Sequence, residues 1–330
     1  MKKLFLIIAL SVQFIANSAL SKDWTKLNIF ACTPEWGSLA TEITGDKTNI
    51  FVATTAMQDP HYIEVSSNMI SQIIKADIVF CSGADLEVKW LPILLQKASK
   101  SQIQEGGVGY FMASDYVNRL EIPKTPINLN QGDIHPFGNP HVHLDPRNIS
   151  VIAAKFLALM NKLDPDNADV YNKNYNDFMN RWNKSIVKWE KDAEDLKDLP
   201  IIVRHNQWSY LVNWLKLNVV ATLEEKPGVA PSAKYMSDTL KTVAMNHADM
   251  IIYAPFENKR IILWMRVKSK TKDVMLPFTV GGEPRVKNLF DLFDYTINTL
   301  KRKRKAPAGD PSQITIDPDK YLPDDLKKRQ

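Results

Sequence analysis

Residues 164–196 read DPDNADVYNKNYNDFMNRWNKSIVKWEKDAEDL, and the reading of this run decides the fold. After Pro165 it contains neither proline nor glycine. Asp164 is a suitable cap, and Pro165 suits the first turn of a helix because its missing N–H would have no intrahelical partner there. Tyr171, Tyr175, Phe178, Trp182 and Trp189 fall at spacings of four, three, four and seven, an apolar stripe along one helical face. The aromatics read as core packing. A continuous helix over this run would reach about 48 Å at roughly 1.5 Å per residue, enough to act as a rigid strut between two bodies.

On both sides of the strut, short apolar runs alternate with helical patterns. Before it, Asn28–Ala31, Ile50–Ala53 and Ile78–Cys81 read as strands. Trp36–Thr44, Ser66–Lys75 and Trp90–Ala98 read as helices, followed by a helix over Asn148–Leu163. After it, the strands are Ile201–Val203, Val219–Leu223, Met250–Ala254 and Val274–Leu276. The helices are Gln207–Leu215, Ala233–Asn246, Asn258–Lys268 and Leu289–Leu300. Strand–helix alternation predicts parallel sheets covered by helices. The expected fold class is therefore α/β, with two lobes, each a parallel sheet flanked by helices, joined by one long rigid helix. The N-terminal lobe would span 22–147, the connecting helices 148–199 and the C-terminal lobe 200–300. No internal sequence repeat accompanies this shared architecture.

The ends of the chain read differently. Lys2 and Lys3, the apolar stretch from Leu4 to Ile15 and the small residues at Ala19-Leu20-Ser21 have the order of a secretory signal peptide over residues 1–21. The apolar run is short for a bilayer span, and no lipobox cysteine stands at the junction. A periplasmic protein is expected. Residues 301–330 carry nine Lys/Arg against five Asp and read as a disordered charged tail. Setting that tail and the two signal lysines aside, the formal charge of +5 becomes close to −1 on the folded body. A nucleic-acid binder would show a basic face on the body itself, so no nucleic-acid partner is expected.

The two cysteines, Cys32 and Cys81, each close a short apolar segment. In an oxidising compartment they permit one disulfide, with two buried thiols on neighbouring strands as the alternative.

Six histidines are present, and three have distinctive settings. His61 follows Gln58-Asp59-Pro60, His141 follows Gly138-Asn139-Pro140, and His205 follows Ile201-Ile202-Val203-Arg204. Prolines stiffen the first two loops. In parallel α/β sheets, ligands collect beyond the carboxyl ends of the strands, where these loops lie. Neutral imidazole is a common transition-metal ligand. Asp59, Glu64 and Asp145 could accept a hydrogen bond from a ring N–H. His247, in Asn246-His247-Ala248-Asp249, reads as a structural histidine at a helix end.

These motifs carry a specific resemblance. Gln58-Asp59-Pro60-His61, Asn139-Pro140-His141 with Leu144-Asp145-Pro146, and Val203-Arg204-His205 resemble the zinc/manganese-type metal solute-binding proteins of bacterial ABC transporters. Leu223-Glu224 with Lys226-Pro227-Gly228, and Leu276-Pro277-Phe278-Thr279-Val280-Gly281-Gly282, resemble the periplasmic zinc-uptake subgroup. The likeness extends over roughly residues 27–300. It implies a metal held between the lobes, with His61 and His141 as ligands from the first and His205 from the second. Many members place an Asp before a Ser-hydrophobic-Gly turn late in the second lobe. Here the matching stretch, Phe278-Thr279-Val280-Gly281, has no carboxylate. His143, His135, Glu224 or a water remain as fourth ligand. Three imidazoles favour Zn²⁺ over Mn²⁺ or Fe²⁺.

The resemblance implies a monomeric receptor that carries the ion to a membrane permease of the ABC class, and not an enzyme. Two other readings use the same histidines. One is a zinc-dependent hydrolase or lyase with an activated water on the open position, although no His-Glu-x-x-His helix is present. The other is an adhesion module in which the metal is structural.

Overall fold

The computed structural model describes residues 26–125 and 134–306. The signal-peptide reading falls outside these residues, as does the tail beyond Ala306. The first lobe contains a sheet of β1 (Leu27–Ala31), β2 (Thr48–Val52), β3 (Ile78–Cys81) and β4 (Tyr110–Met112). All its pairings are parallel, in the order β2-β1-β3-β4. Helices α1 (Pro34–Thr44), α2 (Ser67–Lys75) and α3 (Leu91–Ala98) flank it. The second lobe repeats the scheme with β5 (Pro200–Val203), β6 (Asn218–Thr222), β7 (Met250–Tyr253) and β8 (Lys272–Met275), again parallel and ordered β6-β5-β7-β8. Its helices are α6 (Ser209–Leu215), α7 (Ala233–Met245), α8 (Lys259–Ser269) and α9 (Leu289–Lys305). Between the lobes run α4 (Pro146–Leu163) and α5 (Ala168–Asp192).

The connecting helix is shorter than the sequence suggests. Pro165–Asn167 forms a separate 3-10 turn and Glu194–Leu196 another. Asp164 accepts hydrogen bonds from Asn167 and the Tyr171 hydroxyl, which fixes that first turn in place. The 25 residues of α5 span about 38 Å at roughly 1.5 Å per residue.

The strut is nevertheless the centre of the molecule. Tyr171, Phe178, Trp182 and Trp189 are buried. They belong to one apolar cluster that includes Ile29 and Phe80 of the first sheet, Ile201 and Ile252 of the second, and Phe293 of α9. The outward faces of the two sheets each have a smaller cluster of their own, around Phe30, Val79 and Leu94 and around Ile202, Ile251 and Met265. The alternation of side chains along each strand thus divides the core into a shared inner layer and two private outer layers. Polar contacts reinforce the shared layer. Arg181 pairs with Glu42 of α1 at 2.6 Å, and the indole of Trp189 donates to Asp294 of α9 at 2.9 Å.

Two further differences from the sequence reading have physical causes. Strand β4 has only three residues and follows Gly106, Gly107 and Gly109, so it carries no recognisable pattern of its own. Helix α9 was expected to end at Leu300, with a disordered tail from 301, but it continues through Lys305. Arg302, Lys303, Arg304 and Lys305 lie in its last turn, where positive charge complements the helix dipole. Lys301 and Arg304 also face Asp195 at 3.9 and 3.7 Å.

Cys32 and Cys81 are joined in a disulfide across the ends of β1 and β3, with Cα atoms 4.8 Å apart. Closing a loop of this length removes about 4 kcal/mol of chain entropy from the unfolded state in the loop-closure model.

Candidate metal centre

A cleft of about 430 Å³ is lined by Glu121, Ile134, His135, Asn139 and His141 of the first lobe and by His205, Asn206 and Pro227 of the second. His61 lies in the loop after β2. That loop is pinned by the buried indole of Trp90, which donates to the Pro60 carbonyl at 2.9 Å. His141 begins the short 3-10 turn Val142–Leu144 that leads into α4, whose cap Asp145 accepts from the backbone N–H of Arg147. The turn before it requires glycine. Gly138 has φ +96°, and a Cβ there would stand 2.7 Å from the Leu120 carbonyl. His205 follows directly on β5.

These elements bring four imidazoles together. The ring centroid of His61 lies 5.2 Å from that of His135, 5.4 Å from His141 and 5.7 Å from His205. His141 and His205 are 6.4 Å apart by the same measure. Potential donor atoms of His61, His135 and His141 all lie within 4.8 Å of one another. The Nε2 atoms of His61 and His135 are 3.1 Å apart.

Carboxylates orient two of the rings from behind. His61 Nδ1 lies 2.7 Å from Asp59, and His205 Nδ1 lies 2.6 Å from Glu224. A ring that donates from Nδ1 presents the lone pair of Nε2, the usual state of a metal-ligating histidine. Burial pushes the Asp59 carboxyl up, but hydrogen bonds and charge from His61 outweigh it, and its pKa is lowered. Burial likewise opposes charge on His205, yet Glu224 raises its pKa overall. Burial, followed by the neighbouring histidines, holds His141 well below the ordinary imidazole value. His141 is neutral in this setting, and its buried Nδ1 has no hydrogen-bond partner among the described residues.

The sequence candidates therefore separate. His61, His141 and His205 converge, and His135 joins them. His143 is wholly buried nearby but is otherwise engaged, with Nε2 3.0 Å from the Phe278 carbonyl and Nδ1 3.5 Å from Glu35. Glu224 is held between Arg204 and His205. Among the suggested acceptors, Asp59 fills that role, while Asp145 caps α4 and pairs with Arg147. His247 lies beyond α7 with a positive φ of 49°. A second grouping of donor types, Cys32, Cys81 and Glu87, is closed by the disulfide.

Some polar residues of the site carry no sequence motif. Glu121 accepts from Asn139 at 3.0 Å in its own lobe, and from Asn206 at 2.8 Å and Ser209 at 2.7 Å in the other. The hydroxyl of Tyr210 donates to the Asn139 carbonyl at 2.9 Å. Glu257 lies under the second-lobe side, its pKa pushed up to about 7 by burial. Such long-range pairings become visible only when the lobes are assembled.

Comparison with known proteins bears on the family and the fold. The manganese ABC transporter substrate-binding lipoprotein scaA of Streptococcus gordonii is 26% identical over 205 residues, covering 59% of this chain and 61% of the relative. The corresponding lipoprotein PsaA of Streptococcus pneumoniae is 26% identical over 193 residues, covering 56% and 59%. The chain thus spans about three fifths of the length of these curated relatives. They are described as substrate-binding proteins, not as enzymes. Among solved structures, a zinc-bound ZnuA deletion mutant superposes with a TM-score of 0.71 at 18% identity, covering 86% of this chain and 99% of that one. A manganese-bound periplasmic metal-binding protein from Candidatus Liberibacter asiaticus gives 0.69 at 16% identity, covering 84% and 100%. At these identities the structures attest the two-lobe fold. Residues 29–303, most of the sequence, match the family described as "ZnuA: Zinc-uptake complex component A periplasmic", and the chain belongs to that family.

Proposed function

We propose that this protein is an extracytoplasmic receptor that captures a divalent transition metal, Zn²⁺, between its lobes and delivers it to an ABC permease. His61, His135 and His141 would bind the ion from the first lobe and His205 from the second. The observation that carries this reading is the convergence of four imidazoles from both lobes, with a buried, unpartnered nitrogen on His141. Family membership supports the metal-receptor role.

The choice of zinc rests on donor chemistry. Zn²⁺ is satisfied by four nitrogen donors in a tetrahedron, whereas Mn²⁺ draws on more numerous, harder oxygen donors. Asp59 and Glu224, the carboxylates nearest the rings, are taken up by hydrogen bonds to the Nδ1 side of their histidines. That same use leaves neither of these two free as a general base. The manganese relatives make the metal the point to test.

Titration of metal-free protein with Zn²⁺ and Mn²⁺ in competition with a chromophoric chelator is the direct experiment. Zn²⁺ should bind at one site per chain, far tighter than about 1 μM, and ahead of Mn²⁺. Absence of a site tighter than about 1 μM for Zn²⁺ would remove the reading. The chain should remain folded when emptied, because its shared core does not pass through the ion. Unfolding on chelation would favour the structural-metal alternative. Among the described residues no helix is long and apolar enough to cross a membrane.

A further inference from the structure

We propose that Phe278 is a specificity-determining residue of the metal site, closing the second-lobe side of His141 with hydrocarbon so that the donor set stays all-nitrogen and four-coordinate. This rests on the four-histidine reading above. Two second-lobe strands send their carboxyl ends toward His141. The end of β5 brings a donor, His205. The segment after β8 brings a benzyl ring, with the Phe278 centroid 5.3 Å from that of His141 and nearly perpendicular to it. The ring is only 2% exposed. Trp208 and Phe256 stand behind it at 6.0 and 5.6 Å, also edge to face.

Apolar packing alone does not fix this ring. His143 donates to the Phe278 carbonyl at 3.0 Å. The hydroxyl of the next residue, Thr279, donates to Glu35 in the first turn of α1. Glu35 is 1% exposed, and its second oxygen faces His143 Nδ1 at 3.5 Å. The first lobe therefore grips two successive residues of the second, in a buried setting where each lost hydrogen bond leaves a costly unpaired group. Phe278 is a held part of the site wall.

The chemical effect follows from what a benzyl ring does not offer. It supplies no oxygen, and it keeps water from the face it covers. An ion that completes its shell with oxygen donors loses those positions, while Zn²⁺, content with four nitrogens, does not.

The test compares wild-type protein with Phe278→Asp and Phe278→Ala. Zn²⁺ and Mn²⁺ affinities are measured by competition, and the visible spectrum of the Co²⁺-loaded form reports coordination number. Wild type should show the intense bands of four-coordinate cobalt. Phe278→Asp should raise Mn²⁺ affinity relative to Zn²⁺ by about tenfold or more by adding an oxygen donor. In both variants the cobalt bands should weaken as coordination expands. A folded Phe278→Asp with the wild-type ratio and spectrum overturns the inference. If that variant fails to fold, Phe278→Ala decides, and an unchanged cobalt spectrum overturns it equally. A wild type without a tight Zn²⁺ site removes the four-histidine reading, and this inference with it. A wild type that binds Zn²⁺ tightly while the variants leave ratio and spectrum unmoved removes this inference alone.

Discussion

The two lobes have one topology and unequal chemistry. Each is a four-stranded parallel sheet with its first strand second in the order. The loops of the first lobe supply three of the four clustered histidines and its strands carry the disulfide. The second supplies His205, backed by Glu224, and the apolar wall around Phe278. Equal scaffolds can thus divide the work. On the reading proposed here, the first lobe holds the ion and the second completes and screens the site.

The most severe test of that division is His141→Ala, at the ring least exposed and nearest Phe278. Zn²⁺ affinity should fall by about a thousandfold, close to 4 kcal/mol, in a competition titration. His205→Ala should cost less, about a hundredfold, because three first-lobe imidazoles remain. If the two losses are equal, the lobes share the ion evenly and the proposed asymmetry is wrong.

Exchanging the supporting carboxylates should have a smaller effect. Asp59→Asn or Glu224→Gln should weaken Zn²⁺ binding by about tenfold, the lower end for groups that orient a ligand. The pH dependence sharpens this further. Protons and metal compete for imidazole nitrogen, so wild-type affinity should fall as pH drops through about 6.5. Glu224 raises the pKa of His205, so protons compete with metal at that ring at higher pH than they would without the carboxylate, whereas burial and the neighbouring histidines hold His141 well below the ordinary imidazole value. Glu224→Gln should therefore move the acid limb of the affinity curve to lower pH. Zn²⁺ titrations between about pH 5 and 8 would show an unmoved limb if His205 is not a ligand.

The least effect on metal affinity should come from Cys32→Ser with Cys81→Ser. Thermal unfolding should reveal a loss of about 4 kcal/mol or less. Zn²⁺ affinity should stay within about twofold, since His61, His135 and His141 are held by separate loops.

The scaffold was legible because its signals are local. Alternating apolar runs and the proline-free stretch from Asp166 to Leu196 require only near neighbours to interpret. His61 and His141 stood out for the same reason, each marked by the proline that precedes it, and His205 by the apolar strand it follows. Other features depend on distance in sequence. His135, 74 positions further along the chain, becomes a neighbour of His61 only after the intervening segment folds back. Glu35 and Thr279 are separated by 244 positions. A glutamate in the first turn of α1 looks like an ordinary helix-dipole partner until the other lobe arrives. The end of α9 failed to read because a basic run resembles a solvated tail, and Asp195, which meets it, lies in a different part of the chain.

The inner layer that joins Ile29, Trp182 and Ile252 has a mechanical consequence. Most of each sheet's inward face is spent on the same cluster, so neither half possesses a complete interior of its own. The pair should melt together in a single calorimetric transition, and a cavity cut at Trp182 should soften both halves at once, at a cost of about 3–5 kcal/mol. Such a body is poorly suited to swinging like jaws. Its cargo would have to enter and leave through rearrangement of short segments at the rim, while the frame behind them stays still.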